Sequence, residues 1–377
     1  ASGGSAGVLF STVLTGQVLA DAAAGTSDAG DERRRALAAA VAARHGSLPV
    51  LRLPFASPPH DAATSEAGAL EGGWATVVRL VLRDDDAVAS VRSQLDALDP
   101  VTLLALPALR DVRVEDGATG RTIEPPHDWD VVTITGEHNP ADLADRPVEE
   151  QSRTSWAVTW ALPPVSAEGD GLTTAAHGSR PTGGLGRVHA PTPTEEPCTL
   201  PAVLVASLPL DPTRRHVAAG LATDAVLRAA GEAYARLAER VARRGGDALG
   251  LVPTALPAGA VDAALHEHAL EALRSAHVLP VPAAGETSAR LVAPADAVML
   301  TDGDAADDPV LVAALARHVD GLVHVPRARR TAARRAGARS RTLTDVVDEV
   351  PFADASLLRA LRPHARGRDA EAFAGLR

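Results

Sequence analysis

The stretch "LATDAVLRAAGEAYARLAERVARRGG" constrains the fold of this chain more than any other. Leu221, Val226, Leu227, Tyr234, Leu237 and Val241 recur in it at helical spacing, which predicts one long helix over 218–244. It closes on Arg243 and Arg244, then on Gly245 and Gly246. Cations suit the negative end of a helix, and a glycine just beyond it supplies the left-handed stop. Upstream, "LPAVLVAS" is short and apolar and reads as a buried strand. Between strand and helix lies "LPLDPTRRH", which breaks at Asp211-Pro212 and presents Arg214 and Arg215 side by side. A buried strand leading into a one-faced helix implies a sheet backed by that helix, within an α+β chain.

Other segments extend the pattern. "GVLFS" (7–11) and "LPVLRLPF" (48–55) read as strands, and "DERRRALAAAVAARHG" (31–46) as a helix with an acidic first turn and a glycine stop. "WATVVRLVLR" (74–83) alternates as a strand does, placing Arg79 and Arg83 on one face. "DDDAVASVRSQLDALD" reads as a helix carrying Val88, Val91, Leu95 and Leu98, and "PVTLLALPAL" as a short buried piece. "RDVRVEDGATGRTIEP" predicts a hairpin turning near Asp116-Gly117; "DWDVVTITGE" and "SWAVTWALPP" predict two more strands with a polar loop between them. Residues 164–200, rich in Gly, Pro, Thr and Ser, read as a long draped connection. A helix is expected over 260–276, two short strands near 288–300, and further helix in "DPVLVAALARHVDGL". There is no internal repeat.

Length and charge narrow the function classes. A chain of 377 residues calls for two or three domains. A formal charge of −11 argues against a nucleic-acid coat or a membrane-surface protein. All 37 basic residues are arginine, because lysine is absent, so each arginine is less informative than usual. The single Cys198 excludes an intramolecular disulfide and a multi-cysteine zinc site, which suits a reducing cytoplasm. No apolar run approaches the ~20 residues of a membrane span. The chain lacks an initiator Met and stops inside the pattern "AEAFAGLR", so it is expected to be a fragment of a longer protein.

Three segments carry a resemblance. "GGWATVVRLVLRDDDAVASV" is similar to the strand that closes the nucleotide-binding sandwich of the GHKL ATPases, the family of the ninety-kilodalton heat-shock chaperones and sacsin, with Ala75 where the family has glycine. "DPVTLLALPALRDVRVED" resembles an apolar segment of sacsin running into a strand. "VHAPTPTEEPCTLPAVLVASLPLDPTRRHVAAG" is very similar to a block in actinobacterial proteins described as sacsin-like, ATP-binding or chaperone-like. Together they bear on residues 70–220. The resemblance implies that 1–85 is the C-terminal portion of a GHKL (Bergerat) domain, 86–250 a middle domain and 251–377 a further α/β segment. It implies that Arg214 and Arg215 answer to the γ-phosphate of ATP, where a guanidinium stabilises charge on the phosphoryl oxygens, and that Thr76 helps to hold the adenine. ATP and Mg2+ are then cofactors of the full-length parent, and the partners are its upstream ATP-binding lobe and protein clients.

The family's ATP site is missing from this chain. It needs Glu-x-x-x-Asn on a helix, an Asp-x-Gly-x-Gly loop and a glycine-rich lid. The only asparagine, Asn139, sits in the loop "GEHNPAD", and "TDGDAADD" offers Asp302-Gly303 with Asp304 where the second glycine belongs. No cofactor is therefore expected for this chain alone, and whether the parent hydrolyses ATP stays open.

Each candidate also has a plainer reading. Arg214 and Arg215 could cap a strand end and pair with Glu195 or Glu196. Thr76 could be an ordinary β-branched strand residue. In "LHEHAL", His266 and His268 diverge by roughly 200° on a helix, too far to share a metal, so solvated surface is expected. His189 and His216 flank the long connection and could meet in space. Residues 326–341 hold seven arginines, from Arg327 to Arg341, which would attract phosphate. They lack interleaved aromatics, and the acids of "DGDAADD" and "TDVVDEV" suggest internal compensation, so nucleic acid is not expected as a partner. Two other classes remain: a non-catalytic scaffold or client-binding module, and an arginine-mediated nucleic-acid binder.

Overall fold

A computed structural model describes residues 8–11, 53–56, 82–117, 119–164, 185–190, 192–282, 290–350 and 355–364, with backbone alone at 8–11, 53–56, 148 and 149. The chain divides into two units, Ala1–Val88 and Ala89–Arg377. In the first, β1 (Val8–Ser11) pairs antiparallel with β2 (Leu53–Ala56). The strand expected over 74–83 and the helix expected over 31–46 lie outside the described residues, apart from Leu82 and Arg83.

The second unit is built in chain order. Helix α1 (Asp85–Asp96) crosses the unit boundary and is followed by α2 (Val101–Leu104). Next come the hairpin strands β3 (Val112–Asp116) and β4 (Thr119–Ile123), then β5 (Asp130–Glu137). The apolar stripe read along α1 is not a core face, since none of its residues is buried. In "PVTLLALPAL", Val101 and Leu103 are buried in α2, whereas Leu106 and Leu109 are exposed. A 3-10 turn (Pro140–Leu143) and α3 (Val148–Gln151) lead to β6 (Ser155–Leu162). The expected loop at 185–200 instead contains β7 (Arg187–Ala190) and β8 (Thr192–Pro197), both strands of the main sheet. After β9 (Val203–Ala206) come α4 (Leu221–Arg243) and α5 (Ala260–Leu273).

The main sheet has the order β5-β6-β9-β7-β8 and is antiparallel except for the parallel pair β7–β9. Period-two alternation sorts its side chains. Val158, Trp160 and Leu162 of β6, Leu204 and Ala206 of β9, and Val188 of β7 enter one core with α4 and α5. Ala161, Val203 and Val205 face the other way, onto Val101 and Leu104 of α2. Helix α4 lies between sheet and α5, which explains why 14 of its 23 residues are buried rather than a single stripe. Leu221, read as part of that stripe, is 62% exposed, while Ala222 and Thr223 beside it are buried. Gly231 lets the helices touch: a Cβ there would fall 2.5 Å from the His268 Cβ. The C-terminus of α4 is a Schellman cap, with Gly245 left-handed and the Gly246 amide donating to Val241 O at 2.9 Å.

Beyond α5, β10 (Leu279–Pro280) pairs with β11 (Leu291–Val292). β12 (Val298–Leu300) then starts a small parallel sheet. Helices α6 (Gly303–Asp307) and α7 (Pro309–Leu315) lead to a parallel bridge of Leu322 with Val298. Helix α8 (Arg330–Ala336) leads to β13 (Arg339–Arg341), parallel to β12. Helices α9 (Leu343–Val347) and α10 (Ala355–Leu361) follow. Met299 joins the main core while Val298 and Leu300 face a second core with Leu311, Leu315, Val346 and Leu357, as a parallel strand covered on both faces requires. The main core draws side chains from both sides of residue 250, from Val158 to Ala338. No helix among the described residues is long and apolar enough to cross a membrane.

Candidate functional site

The segment 208–217 folds as a small hairpin standing off the end of β9. Leu210 bridges Val217, the Asp211 amide donates to His216 O at 2.9 Å, and the Ala218 amide donates to Pro209 O at 2.9 Å. Its tip follows from the sequence. Pro212 presets the second position of a turn closed by Arg214 N donating to Asp211 O at 3.0 Å. Arg214 then takes φ 59°, the left-handed region, and is the one non-glycine residue there among the described residues. The Asp211 carboxylate holds the tip together. It accepts from Thr213 Oγ1 at 2.8 Å and from the amides of Arg215 and His216 at 3.3 and 3.4 Å. The Thr213 hydroxyl, with help from those amides, keeps the Asp211 carboxyl below its ordinary range.

The two arginines have different surroundings. Arg215 is tied down: its carbonyl accepts the Glu195 amide at 2.7 Å and its Nε meets Glu195 Oε1 at 3.1 Å. His216 sits between both acids of β8, with Nε2 3.4 Å from Glu195 and Nδ1 3.2 Å from Glu196. Glu196 also accepts the Val217 amide at 3.3 Å. The plainer reading of the pair therefore has a geometric basis at Arg215. Arg214 is exposed and its guanidinium has no partner among the described residues. At the hairpin base, Arg146 donates to Leu210 O at 3.2 Å and pairs with Glu150 at 2.7 Å. His189 lies buried in β7, opposite Pro193, while the ring contacts of His216 are to Glu195 and Glu196. Thr76 lies outside the described residues.

Asn139 and Asp302, from the two loops compared with the family's ATP-site motifs, each accept a backbone amide. Asn139 caps the 3-10 turn, its Oδ1 accepting the Ala141 amide at 3.1 Å, so "GEHNPAD" begins a helical turn rather than an open loop. Asp302 accepts the Leu343 amide, joining the ends of β12 and β13. Three of the seven arginines in the arginine-rich segment are paired, whereas Arg327, Arg334, Arg335 and Arg339 are exposed and make no ion pair among the described residues. Arg330 meets Asp307 at 2.5 Å, Arg341 meets Glu349 at 2.6 Å, and Arg329 reaches back to Asp247 at 2.6 Å.

A second polar cluster lies in the core, where solvated surface is expected at His266. That residue is 4% exposed, because the α5 face bearing it packs under the β8–β9 turn and beside α8. Asp262, fully buried, accepts Thr199 N at 2.9 Å, Thr199 Oγ1 at 2.8 Å and the Ala258 amide at 2.9 Å. The Thr199 proton thus goes to Asp262, so the His266 Nε2 at 2.7 Å from the same oxygen carries the hydrogen and donates it. Nδ1 is left as a bare, buried acceptor. Burial, helped by Arg335 and opposed by Asp262, lowers the His266 pKa. Burial pushes the neighbouring Cys198 thiol up to about 12, so it is an inert core residue. The order of contacts is not that of a nucleophilic triad, since the carboxylate meets the hydroxyl and Nε2 instead of Nδ1. The i, i+4 spacing of Asp262 and His266 is the sequence signal that could have found this cluster. Compared with known family models, curated proteins and solved structures, the chain matches none.

Proposed function

We propose that this chain is part of a sacsin-like, chaperone-like GHKL ATPase, in which it couples the nucleotide state to conformational change. Arg214 is offered to the γ-phosphate of ATP held, with Mg2+, by an upstream lobe of the parent protein, with Thr76 of this chain helping to hold the adenine. One observation carries the reading: Arg214 is an exposed guanidinium, unpartnered among the described residues, on a turn fixed by Asp211, in a block similar to that of the family. A preorganised cation that costs no internal ion pair can stabilise developing phosphoryl charge in trans. Arg215, spent on Glu195, orients the hairpin. Protein clients and a cytoplasmic setting belong to the same reading.

The test is ATP turnover in a protein carrying both this chain and its upstream sequence. Arg214→Ala should lower kcat by at least about tenfold with little change in KM, as loss of one charge-stabilising donor does. Arg215→Ala should lower it less. Unchanged turnover in both variants, with the fold intact by circular dichroism, removes the assignment. Magnesium-ATP calorimetry adds a second check, because binding is expected in the longer protein and not in this chain alone.

A further inference from the structure

The main sheet ends in two unlike edges. On the β8 side, Pro193 and Pro197 lack amide donors, and the 208–217 hairpin takes the Glu195 amide through the Arg215 carbonyl at 2.7 Å. Such an edge is blunted against further strands. Among the described residues, β5 has no such protection. It runs eight residues without proline, in unbroken register with β6 from Asp130 to Glu137, and its centre, Val131 to Thr135, is entirely β-branched.

Its hydrogen-bonding direction follows from the neighbouring pair. The His138 amide donates inward to Thr154 O at 2.7 Å, so antiparallel alternation turns Val132, Ile134 and Gly136 inward as well. Val131, Thr133, Thr135 and Glu137 therefore point their amides and carbonyls outward. The Val131 carbonyl receives Arg240 Nη1 at 3.4 Å, whereas the outward groups of Thr133 and Thr135 have no partner among the described residues. At the C-terminal end of the strand, a cavity of about 390 Å³ is lined by Thr135, Glu137, Ser155, Trp156 and Ser207. The Trp156 indole lies over Gly136, where a Cβ would fall 2.3 Å from the ring. Glu137 makes no ion pair among the described residues, while Asp130 at the other end is held by Arg240 and Arg244 at 3.0 and 2.5 Å.

We infer that the β5 edge is a strand-addition site for an extended basic peptide, which pairs with Thr133 and Thr135 and delivers an arginine or lysine side chain to Glu137. Main-chain bonds give such a site its affinity, and the side-chain pocket gives it selectivity. A carboxylate that makes no ion pair among the described residues suits a cation. The chain's charge of −11 attracts a basic segment and repels a second copy of itself. The site is independent of Arg214 and of ATP.

The test is fluorescence anisotropy of a dye-labelled eight-residue peptide alternating valine and arginine, titrated with the full chain. Saturable binding is expected, weakened roughly tenfold or more when every peptide amide is N-methylated or when glutamate replaces arginine. Thr135→Pro should weaken it similarly, because it removes an outward donor without touching the β6 ladder. Thr133→Lys, at an exposed edge position, is the second variant should the proline perturb the melt. Glu137→Gln should weaken binding of the arginine peptide alone. Absence of binding, equal binding of the N-methylated peptide, or indifference to both edge variants overturns the site. A dimer seen by light scattering without peptide, and dissolved by Thr135→Pro, would give the edge to a second copy and equally overturn it.

Discussion

The indole N–H of Trp160 donates to the Ala230 carbonyl across 2.8 Å, fastening the middle of β6 to the middle of α4. The ring stands edge-on to Tyr234 at 4.9 Å, and the Tyr234 hydroxyl donates to Leu251 O at 2.7 Å. Sheet, helix and the following 3-10 turn (Ala248–Leu251) thus meet at one fully buried pair. Tyr234→Phe keeps the ring and strands the Leu251 carbonyl, so it should cost about 1–3 kcal/mol. The expected readout is a lower urea midpoint with an unchanged m-value. An unchanged midpoint would mean the bond contributes nothing.

Helix propensity alone would have Gly231→Ala stabilise α4. The contact with α5 reverses the sign, because the added methyl meets the backbone carbonyl of His268 at 2.6 Å. Overpacking of that kind costs about 1–3 kcal/mol, more than the roughly 1 kcal/mol gained from propensity. Gly303→Ala is the control. It has open space around its Cβ and lies in the first turn of α6, and it should be neutral or mildly stabilising. Thermal melts of the two variants that move in the same direction would contradict the account.

How far the sequence foretold these features depends on how local each one is. Helix α4, with its cap at Gly245–Gly246, was legible because periodicity and capping chemistry reside in the segment itself. The β3–β4 hairpin was legible for the same reason. β7 and β8 were not, since "RVHAPTPTEEP" is short and proline-rich, and what holds it as strand is the parallel pairing of β7 with β9, which no pattern inside the segment encodes. At His266 and His268, helical geometry rightly separated the two rings but could not say which face a neighbour would cover. Adjacency made Arg214 and Arg215 look like twins; the left-handed backbone of Arg214 breaks that equivalence, with Arg215 held by Glu195 and Arg214 without a partner among the described residues.

Stability should fall as the pH is lowered through the imidazole range. Burial holds the folded-state pKa of His266 below its unfolded value, so the unfolded chain binds more protons between the two and stability rises with pH. The contribution is complete above the ordinary value of about 6.5 and is lost as pH falls below it. Burial of His138 acts with the same sign. The wild type should therefore lose more stability than His266→Gln between about pH 7.5 and about pH 5.5, a window that brackets that value. The glutamine amide can still donate to Thr199. Equal losses in urea titrations of the two proteins would exclude His266 as the source.

Arg214 offers a test that separates strain from function. A non-glycine residue in the left-handed region costs roughly 1–2 kcal/mol relative to its preferred conformations, and glycine relieves this while losing some order in the unfolded chain. The guanidinium has no partner among the described residues to lose. Arg214→Gly should therefore leave the melting temperature unchanged or raise it, while Arg215→Ala should lower it only slightly, its ion pair with Glu195 being largely exposed. A strained arginine that glycine replaces without loss of stability is kept for something other than the fold. If Arg214→Gly instead unfolds the hairpin, seen as faster amide exchange at Glu195 and Ala218, the residue is structural and the phosphate-facing role loses its support.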